Sequence, residues 1–269
     1  MTARRRARAV VRLAHAVIHG LHGLAIVLFA FGSLDRAGRH RRIAWWSRKM
    51  LAVLGIALDH DGAPIRERCL LVANHVSWLD IMAVHAVVPQ ARFVSKADVK
   101  AWPLIARLVD SAGTIYLERE RKRDALRVVH AVAAALGAGE VVAIFPEGTT
   151  STGHGLLPFH ANLLQAAVAT STPVQPVALR FSEAGNAVSE AVEFIGATSL
   201  LQSLWRTSCG EGVRVRLTFL APRDSAGADR RVLAEELRGD IAAALGVDLG
   251  VAPASGIDSA APKPAAPAC

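Results

Sequence analysis

Short apolar runs alternate with longer amphipathic stretches along residues 59–248. The short runs contain many β-branched residues and predict strands at 69–73, 92–95, 114–117, 141–145, 174–179 and 213–220. The longer stretches predict helices at 78–87, 103–110, 121–136, 161–169 and 229–245. Strands and helices in alternation are typical of an α/β domain, in which helices flank a mostly parallel sheet.

The N-terminal region has a different pattern. Residues 14–34 form a run of 21 residues without Asp, Glu, Lys or Arg, long enough for a membrane helix, and five arginines precede it. A second apolar stretch covers residues 43–58. A cleaved signal peptide is the alternative, but arginines follow the run in place of a small-residue cleavage site. Because positive charge lies on both sides, the pattern favours a re-entrant hairpin with both ends in the cytoplasm.

The positive charge of the chain is concentrated in the same region. Residues 1–50 contain 11 Lys or Arg and one Asp, a net charge of +10, whereas the whole chain has +8. Basic residues beside apolar helices indicate anionic lipid and not nucleic acid as the partner. We therefore predict membrane-associated helices over residues 1–58, a globular domain over 59–248 and a disordered, Ala- and Pro-rich tail over 249–269.

Cysteines and histidines are the candidate metal ligands in this sequence. Three cysteines without close spacing, Cys69, Cys209 and Cys269, indicate neither a disulfide framework nor a zinc knuckle, so we predict no metal site. His15, His19 and His22 share one face of the first apolar helix, which leaves a haem- or metal-binding membrane protein as a non-enzyme alternative. Such a stripe more often packs against protein.

A first chemical motif follows the strand at 69–73, where residues 72–80 read V-A-N-H-V-S-W-L-D. Ser77 and Asp80 have the spacing of a capping box at a helix start. That spacing does not explain His75, which lies in a loop at the carboxyl edge of the sheet, where α/β proteins place their sites. Asp80 in the first helical turn is within reach of the imidazole, and the pair predicts a general base.

A second motif ends the strand at 141–145 with F-P-E-G-T-T-S. Its carboxylate, its hydroxyls and a glycine that lets backbone N–H groups approach a ligand suit a polyol or a phosphate. An ordinary loop is the alternative for this motif taken alone.

Together the two motifs resemble those of the glycerolipid acyltransferase family, which includes the bacterial 1-acylglycerol-3-phosphate acyltransferases. N-H-x-x-x-x-D is followed about 65 residues later by F-P-E-G-T, and the family's K-x-E/D-L and G-x-I-F-I-x-R elements have counterparts that begin at Lys96 and Gly113. The element V-x-P-V matches residues 174–177. The resemblance covers most of residues 70–180.

The resemblance implies that His75 removes a proton from a lysolipid hydroxyl, which then attacks the thioester of acyl-CoA or acyl-carrier protein, while Asp80 supports the histidine. It implies no metal or redox cofactor. Substrate binding is expected at Asn74, Lys96, Arg119, Glu147, Gly148 and Thr149. Without the resemblance, Arg119 would be read as one member of a solvated charged run. The expected location is a bacterial inner membrane, with the catalytic domain facing the cytoplasm.

One position departs from the family pattern. Members that act on phosphate acceptors commonly have F-P-E-G-T-R-S, and this chain has Thr150 in place of that arginine. Lys96 and Arg180 are candidates to replace the missing cation. We therefore expect 1-acylglycerol-3-phosphate as the acceptor, with lyso-ornithine lipid as the alternative.

Overall fold

The computed structural model describes residues 2–97, 100, 103–117, 122–247 and 249. The strands of these residues form one seven-stranded sheet in the order β1-β7-β6-β2-β5-β3-β4. They are β1 Ala57–Asp61, β2 Cys69–Ala73, β3 Arg92–Lys96, β4 Ile115–Leu117, β5 Val141–Ile144, β6 Val174–Ser182 and β7 Arg214–Phe219. Neighbouring strands are parallel except for β6 and β7, so the predicted α/β fold with a mostly parallel sheet is confirmed.

Helices cover both faces of the sheet: α1 Ala3–Phe29, α2 Arg36–Val53, α3 Leu79–Val87, α4 Pro103–Ser111, α5 Lys122–Gly137, α6 Leu164–Thr170, α7 Leu200–Cys209 and α8 Arg230–Leu245. In β2, Leu71 and Ala73 join a core with side chains of α2 and α3, whereas Leu70 and Val72 join a core with those of α5, α6 and α8. Successive side chains point to opposite faces of a strand, and both faces are covered here. This explains why β2 is apolar throughout.

Two elements were missing from the predicted pattern. Strand β1 has the sequence A-L-D-H-D and lies at the edge of the sheet, where its only strand neighbour in the described residues is β7. Half-exposed edge strands carry polar residues and therefore lack the apolar signal of a buried strand. Helix α7 begins at the capping box formed by Ser199 and Gln202 and has the sequence L-L-Q-S-L-W-R-T-S-C. Its Ser, Thr and Cys residues weaken the helical pattern.

The predicted re-entrant hairpin is wrong in its second half. Residues 43–58 form the end of α2, a turn and the start of β1. Leu51, Leu54 and Ile56 are buried in the same core as β2, so this stretch belongs to the globular fold. Strand β1 also crosses the predicted domain boundary at residue 58. The division of the chain into domains stays a prediction, and most of residues 249–269 lie outside the described residues.

Arginines of α1 attach this helix to the C-terminal end of α7. Arg12 Nη1 donates to the carbonyls of Ser208, at 3.1 Å, and Gly210, at 2.7 Å, while Arg5 Nε donates to that of Cys209, at 2.9 Å. The last carbonyls of a helix lack partners within it, and the helix dipole favours a cation there. These arginines therefore hold the start of α1 on the globular fold, a role that the sequence analysis did not assign to them.

The histidine stripe of α1 packs against tryptophans of α2. His19 Nε2 lies 3.0 Å from the Trp46 carbonyl oxygen, Trp46 Nε1 donates to the His19 carbonyl at 3.1 Å, and the two rings stack at 5.4 Å. The His22 ring meets the edge of Trp45. Within the described residues no group of three His, Cys, Asp or Glu is placed to hold a metal ion. These contacts match the packing interpretation of the stripe.

Candidate active site

His75 lies in the loop that joins β2 to α3, at the carboxyl edge of the sheet. Its Nδ1 is 2.7 Å from Oδ2 of Asp80, which is fully buried in the first turn of α3, while 19% of the His75 side chain is exposed. A carboxylate that accepts Nδ1–H leaves the lone pair on Nε2, so Nε2 is the nitrogen that can take a proton. The structure thus brings together the pair that the sequence predicted as a general base.

Asp80 also organises the loop around the histidine. Its Oδ2 accepts the backbone N–H groups of Val76, at 2.7 Å, and Ser77, at 3.0 Å. The bond from the Ser77 N–H is one half of the predicted capping box. The other half is wrong, because the cap position is Trp78 and the buried Ser77 hydroxyl has no partner in the described part of the chain. Asp80 therefore holds both the loop and the imidazole without help from the Ser77 hydroxyl.

Phe145 restrains the imidazole of His75 by packing against a face of its ring. Its ring stacks on that of His75, with centroids 4.0 Å apart and planes 7° from parallel, and Phe93 stacks behind Phe145 at 5.5 Å. Asp80 restrains the imidazole in its plane, whereas Phe145 restrains it perpendicular to that plane. Phe145 was not among the predicted site residues, although its position as the aromatic residue that opens the F-P-E-G-T motif was an available signal.

Asn74 and Glu147 bind backbone groups on each side of His75. The Asn74 amide exchanges two hydrogen bonds of 2.8 Å with the backbone of Leu179 in β6. The Glu147 carboxylate accepts the N–H of His75, at 2.7 Å, and that of Leu157, at 3.0 Å. Burial raises the Glu147 pKa, and the two backbone donors oppose that shift. Both side chains position the loop that carries His75, and their contact with substrate stays a prediction.

The turn after Glu147 is open to solvent. Gly148 and Thr149 are exposed, and Gly148 has φ +70°, a conformation that favours glycine. The Thr150 side chain is held in place by a hydrogen bond, since its hydroxyl donates to the Phe194 carbonyl. Gly148 and Thr149 therefore remain the accessible members of the motif.

The three predicted cations, Lys96, Arg119 and Arg180, differ in how far the structure describes them. Arg119 lies outside the described residues, as does the side chain of Lys96, whose backbone ends β3. Arg180 donates to the Leu245 carbonyl at the end of α8. This bond engages one nitrogen of its guanidinium, and the expectation that Arg180 replaces the missing arginine stays a prediction.

An apolar cavity of about 460 Å³ opens beside the loop that carries His75. It lies among α1, α2, α3, α4 and α7, and the His75 loop and α3 contribute Trp78, Ile81, Met82 and His85. Burial lowers the pKa of His85 to about 4, and its Nε2 is 2.9 Å from the Ala91 carbonyl oxygen. His85 is therefore neutral at pH 7, and its Nε2 is engaged by a backbone carbonyl, unlike Nε2 of His75.

Comparisons with known proteins agree with this geometry. A family model described as Acyltransferase matches residues 58–180. A lyso-ornithine lipid O-acyltransferase of Pseudomonas aeruginosa is 38% identical over 207 residues, which cover 77% of this chain and 79% of that protein. A 1-acyl-sn-glycerol-3-phosphate acyltransferase of Neisseria meningitidis is 35% identical over 241 residues, which cover 85% of this chain and 93% of that protein. The chain belongs to the acyltransferase family.

A solved structure supports the fold of this acyltransferase. The 1-acyl-sn-glycerophosphate (LPA) acyltransferase PlsC from Thermotoga maritima superimposes with a TM-score of 0.71 at 21% identity, over 90% of this chain and 96% of that one. The resemblance inferred from four short motifs is thus confirmed at the level of family and fold. The individual roles of the site residues in this acyltransferase stay predictions.

Proposed function

We propose that the chain transfers a fatty acyl group from the thioester of acyl-CoA or acyl-carrier protein to the free hydroxyl of a lysophospholipid. The observation that carries the proposal is the His75 and Asp80 pair beside an apolar cavity of about 460 Å³. A general base of this kind serves proton transfer from a hydroxyl, and the apolar lining suits an acyl chain.

The residues support a balanced sequence of steps. Nε2 of His75 takes the proton of the acceptor hydroxyl as its oxygen attacks the thioester carbonyl carbon. Asp80 stabilises the imidazolium that forms, because its carboxylate is 2.7 Å from Nδ1. The tetrahedral intermediate then collapses, the C–S bond breaks, and the imidazolium returns the proton to the leaving sulfur. The products are an ester and a thiol, with no change in oxidation state.

1-Acylglycerol-3-phosphate is the acceptor that we propose first, as the family motifs imply, which gives phosphatidate as the product. Lyso-ornithine lipid is the second candidate, favoured by a specific observation. Thr150 stands where phosphate-acceptor members commonly have arginine, and its hydroxyl is engaged by the Phe194 carbonyl. The turn therefore lacks one cation that would hold a phosphate monoester.

Arg119→Ala distinguishes these acceptors. If the acceptor is 1-acylglycerol-3-phosphate, its KM should rise about tenfold or more while the KM of the acyl donor hardly changes, because a charge-assisted contact is lost on one substrate only. Thr150→Arg should lower that KM or leave it unchanged, and should not improve transfer to a lipid that already carries an ammonium. The measurement is KM for both lysolipids in each variant.

Arg216→Ala is the matched control, because Arg216 is an exposed arginine of β7. The 1-acylglycerol-3-phosphate proposal fails if Arg119→Ala leaves the KM for that lipid unchanged while the wild-type protein prefers the ornithine lipid.

We propose that α1 holds the protein on the cytoplasmic side of a bacterial inner membrane. Among the described residues, α1 is the one helix long and apolar enough to cross a membrane. A spanning orientation would break the bonds of Arg5 and Arg12 to the end of α7. We therefore propose that α1 lies along the interface. Its exposed apolar side chains are Val10, Val11, Val17, Ile18, Leu21, Leu28 and Phe29.

Replacing Val11 and Ile18 together by Asp should weaken binding to anionic vesicles about tenfold or more. Both side chains are more than half exposed and lie on the same face of α1, seven residues apart, so each loses a contact with the acyl region. Vesicle sedimentation at two salt concentrations measures the effect. Val232→Asp, at an equally exposed valine of α8, is the control. Equal binding of the double variant and the wild type would exclude this face as the anchor.

A further inference from the structure

A second cavity, of about 310 Å³, lies near the catalytic turn and is polar. The loop before α6 contributes His160 and Asn162, and the start of α8 contributes Arg230, Arg231 and Glu235. These elements pack on one face of the sheet, whereas the apolar cavity lies among the helices of the other face. The two cavities are therefore on opposite sides of the edge that carries His75.

The polar cavity is joined directly to the catalytic turn through His160. A Cβ atom added to Gly148 would lie 3.1 Å from Cδ2 of His160, and the His160 N–H donates to the Pro146 carbonyl at 2.8 Å. The same loop is held by Glu147, whose Oε2 accepts the N–H of Leu157. The His160 ring therefore packs against Gly148, and because both residues are exposed, a ligand group can pass from this cavity to the catalytic turn along their solvent-facing surface.

The lining of the cavity is positively charged. Arg230 and Arg231 make no ion pair within the described residues. Two acidic groups lie nearby: Asp229 accepts the N–H groups of Arg231 and Val232 and interacts electrostatically with Arg230 and Arg231, and Glu235 lies 3.7 Å from the guanidinium of Arg238. Because Asp229 already occupies N–H groups of the first helical turn, an anion here would be bound by side chains.

We propose that this cavity binds the phosphate at the end of the pantetheine arm of the acyl donor. The inference rests on the proposed function, since both acyl-CoA and acyl-carrier protein carry a phosphate on that arm. Two guanidinium groups, an imidazole and an amide are the donors that a phosphate prefers. The acyl chain enters the apolar cavity on one face, the thioester lies at His75, and the arm runs over the exposed surface of Gly148 and His160 to the other face.

The test is the double variant Arg230→Gln/Arg231→Gln, assayed with acyl-CoA, acyl-carrier protein and acyl-pantetheine, which lacks the phosphate. KM should rise about tenfold or more for acyl-CoA, for acyl-carrier protein or for both, because contacts to phosphate are lost. It should stay within about twofold for acyl-pantetheine and for the lysolipid. Which of the two phosphate-bearing donors responds identifies the source of the phosphate. Arg216→Gln is the control for loss of an exposed arginine.

Two results would overturn the proposal: unchanged KM values for both phosphate-bearing donors, or an equal rise for acyl-pantetheine. Arg231 is exposed, so Arg231→Gln alone repeats the test without disturbing the fold. A failure of the proposed function would look different, because the wild-type protein would then transfer no acyl group from any of the donors.

Discussion

His75→Ala is expected to lower kcat by about 100- to 10,000-fold, the range that a positioned general base contributes. Nε2 of this histidine is the nitrogen left to accept the hydroxyl proton, because Nδ1 faces Asp80 at 2.7 Å. The His75 side chain is partly exposed and belongs to neither hydrophobic core, so the midpoint of thermal unfolding should change by only a few degrees. Steady-state kinetics with a saturating acyl donor, together with thermal unfolding, measures both effects.

His130→Ala is the matched control, because His130 is an exposed histidine of α5, on the sheet face away from the apolar cavity. It should keep wild-type kcat. A His75→Ala protein with normal stability and near-normal turnover would exclude His75 as the base.

Asp80→Ala should have the second-largest effect and should damage both activity and stability. Two buried N–H groups, of Val76 and Ser77, lose their acceptor together with the His75 ring. An unsatisfied buried donor costs about 1–3 kcal/mol, so we expect the free energy of unfolding to fall by about 3 kcal/mol or more. Denaturant titration measures the stability, and kcat is compared on folded protein.

Asp80→Asn separates the two roles of the carboxylate. The amide oxygen can still accept the loop N–H groups, so the loss of stability should be smaller than in the alanine variant. The uncharged amide cannot stabilise the imidazolium, so kcat should still fall about 100-fold or more. Wild-type kcat in a stable Asp80→Asn protein would show that Asp80 supports only the loop.

Much of the fold was predictable because the central strands are buried on both faces. The apolar runs of β2 and β5 have nearly the bounds that the pattern predicts, and a parallel sheet follows from their alternation with helices. The pair of His75 and Asp80 was also predictable, since a five-residue spacing across one loop and one helical turn makes their contact local.

Contacts between distant parts of the chain were not predictable in the same way. Asn74 is bound by Leu179, 105 residues away, and the His75 N–H by Glu147, 72 residues away. Asn74 and Glu147 were predicted to contact substrate, because the sequence of a motif does not reveal which backbone groups the fold will bring to its polar side chains. Arg12, likewise, was assigned to lipid because only the tertiary structure places the end of α7 beside it.

The apolar cavity was even less predictable from the sequence, because it is formed by tertiary packing. Five helices from separate parts of the chain contribute to its lining, among them α1 and α7. The apolar residues of these helices are those expected of any helix packed in a globular fold, and the space left between the helices is a property of their arrangement.

The most direct measurement of the central claim uses purified protein on vesicles with radiolabelled acyl-CoA or acyl-carrier protein and, in parallel, 1-acylglycerol-3-phosphate or lyso-ornithine lipid. The wild-type protein is expected to convert at least one of these lysolipids to a labelled diacyl lipid at a rate that His75→Ala reduces at least about 100-fold. Folded, vesicle-bound wild-type protein that labels neither lysolipid from either donor, or a His75→Ala protein that labels the lipid as fast as the wild type, would contradict it.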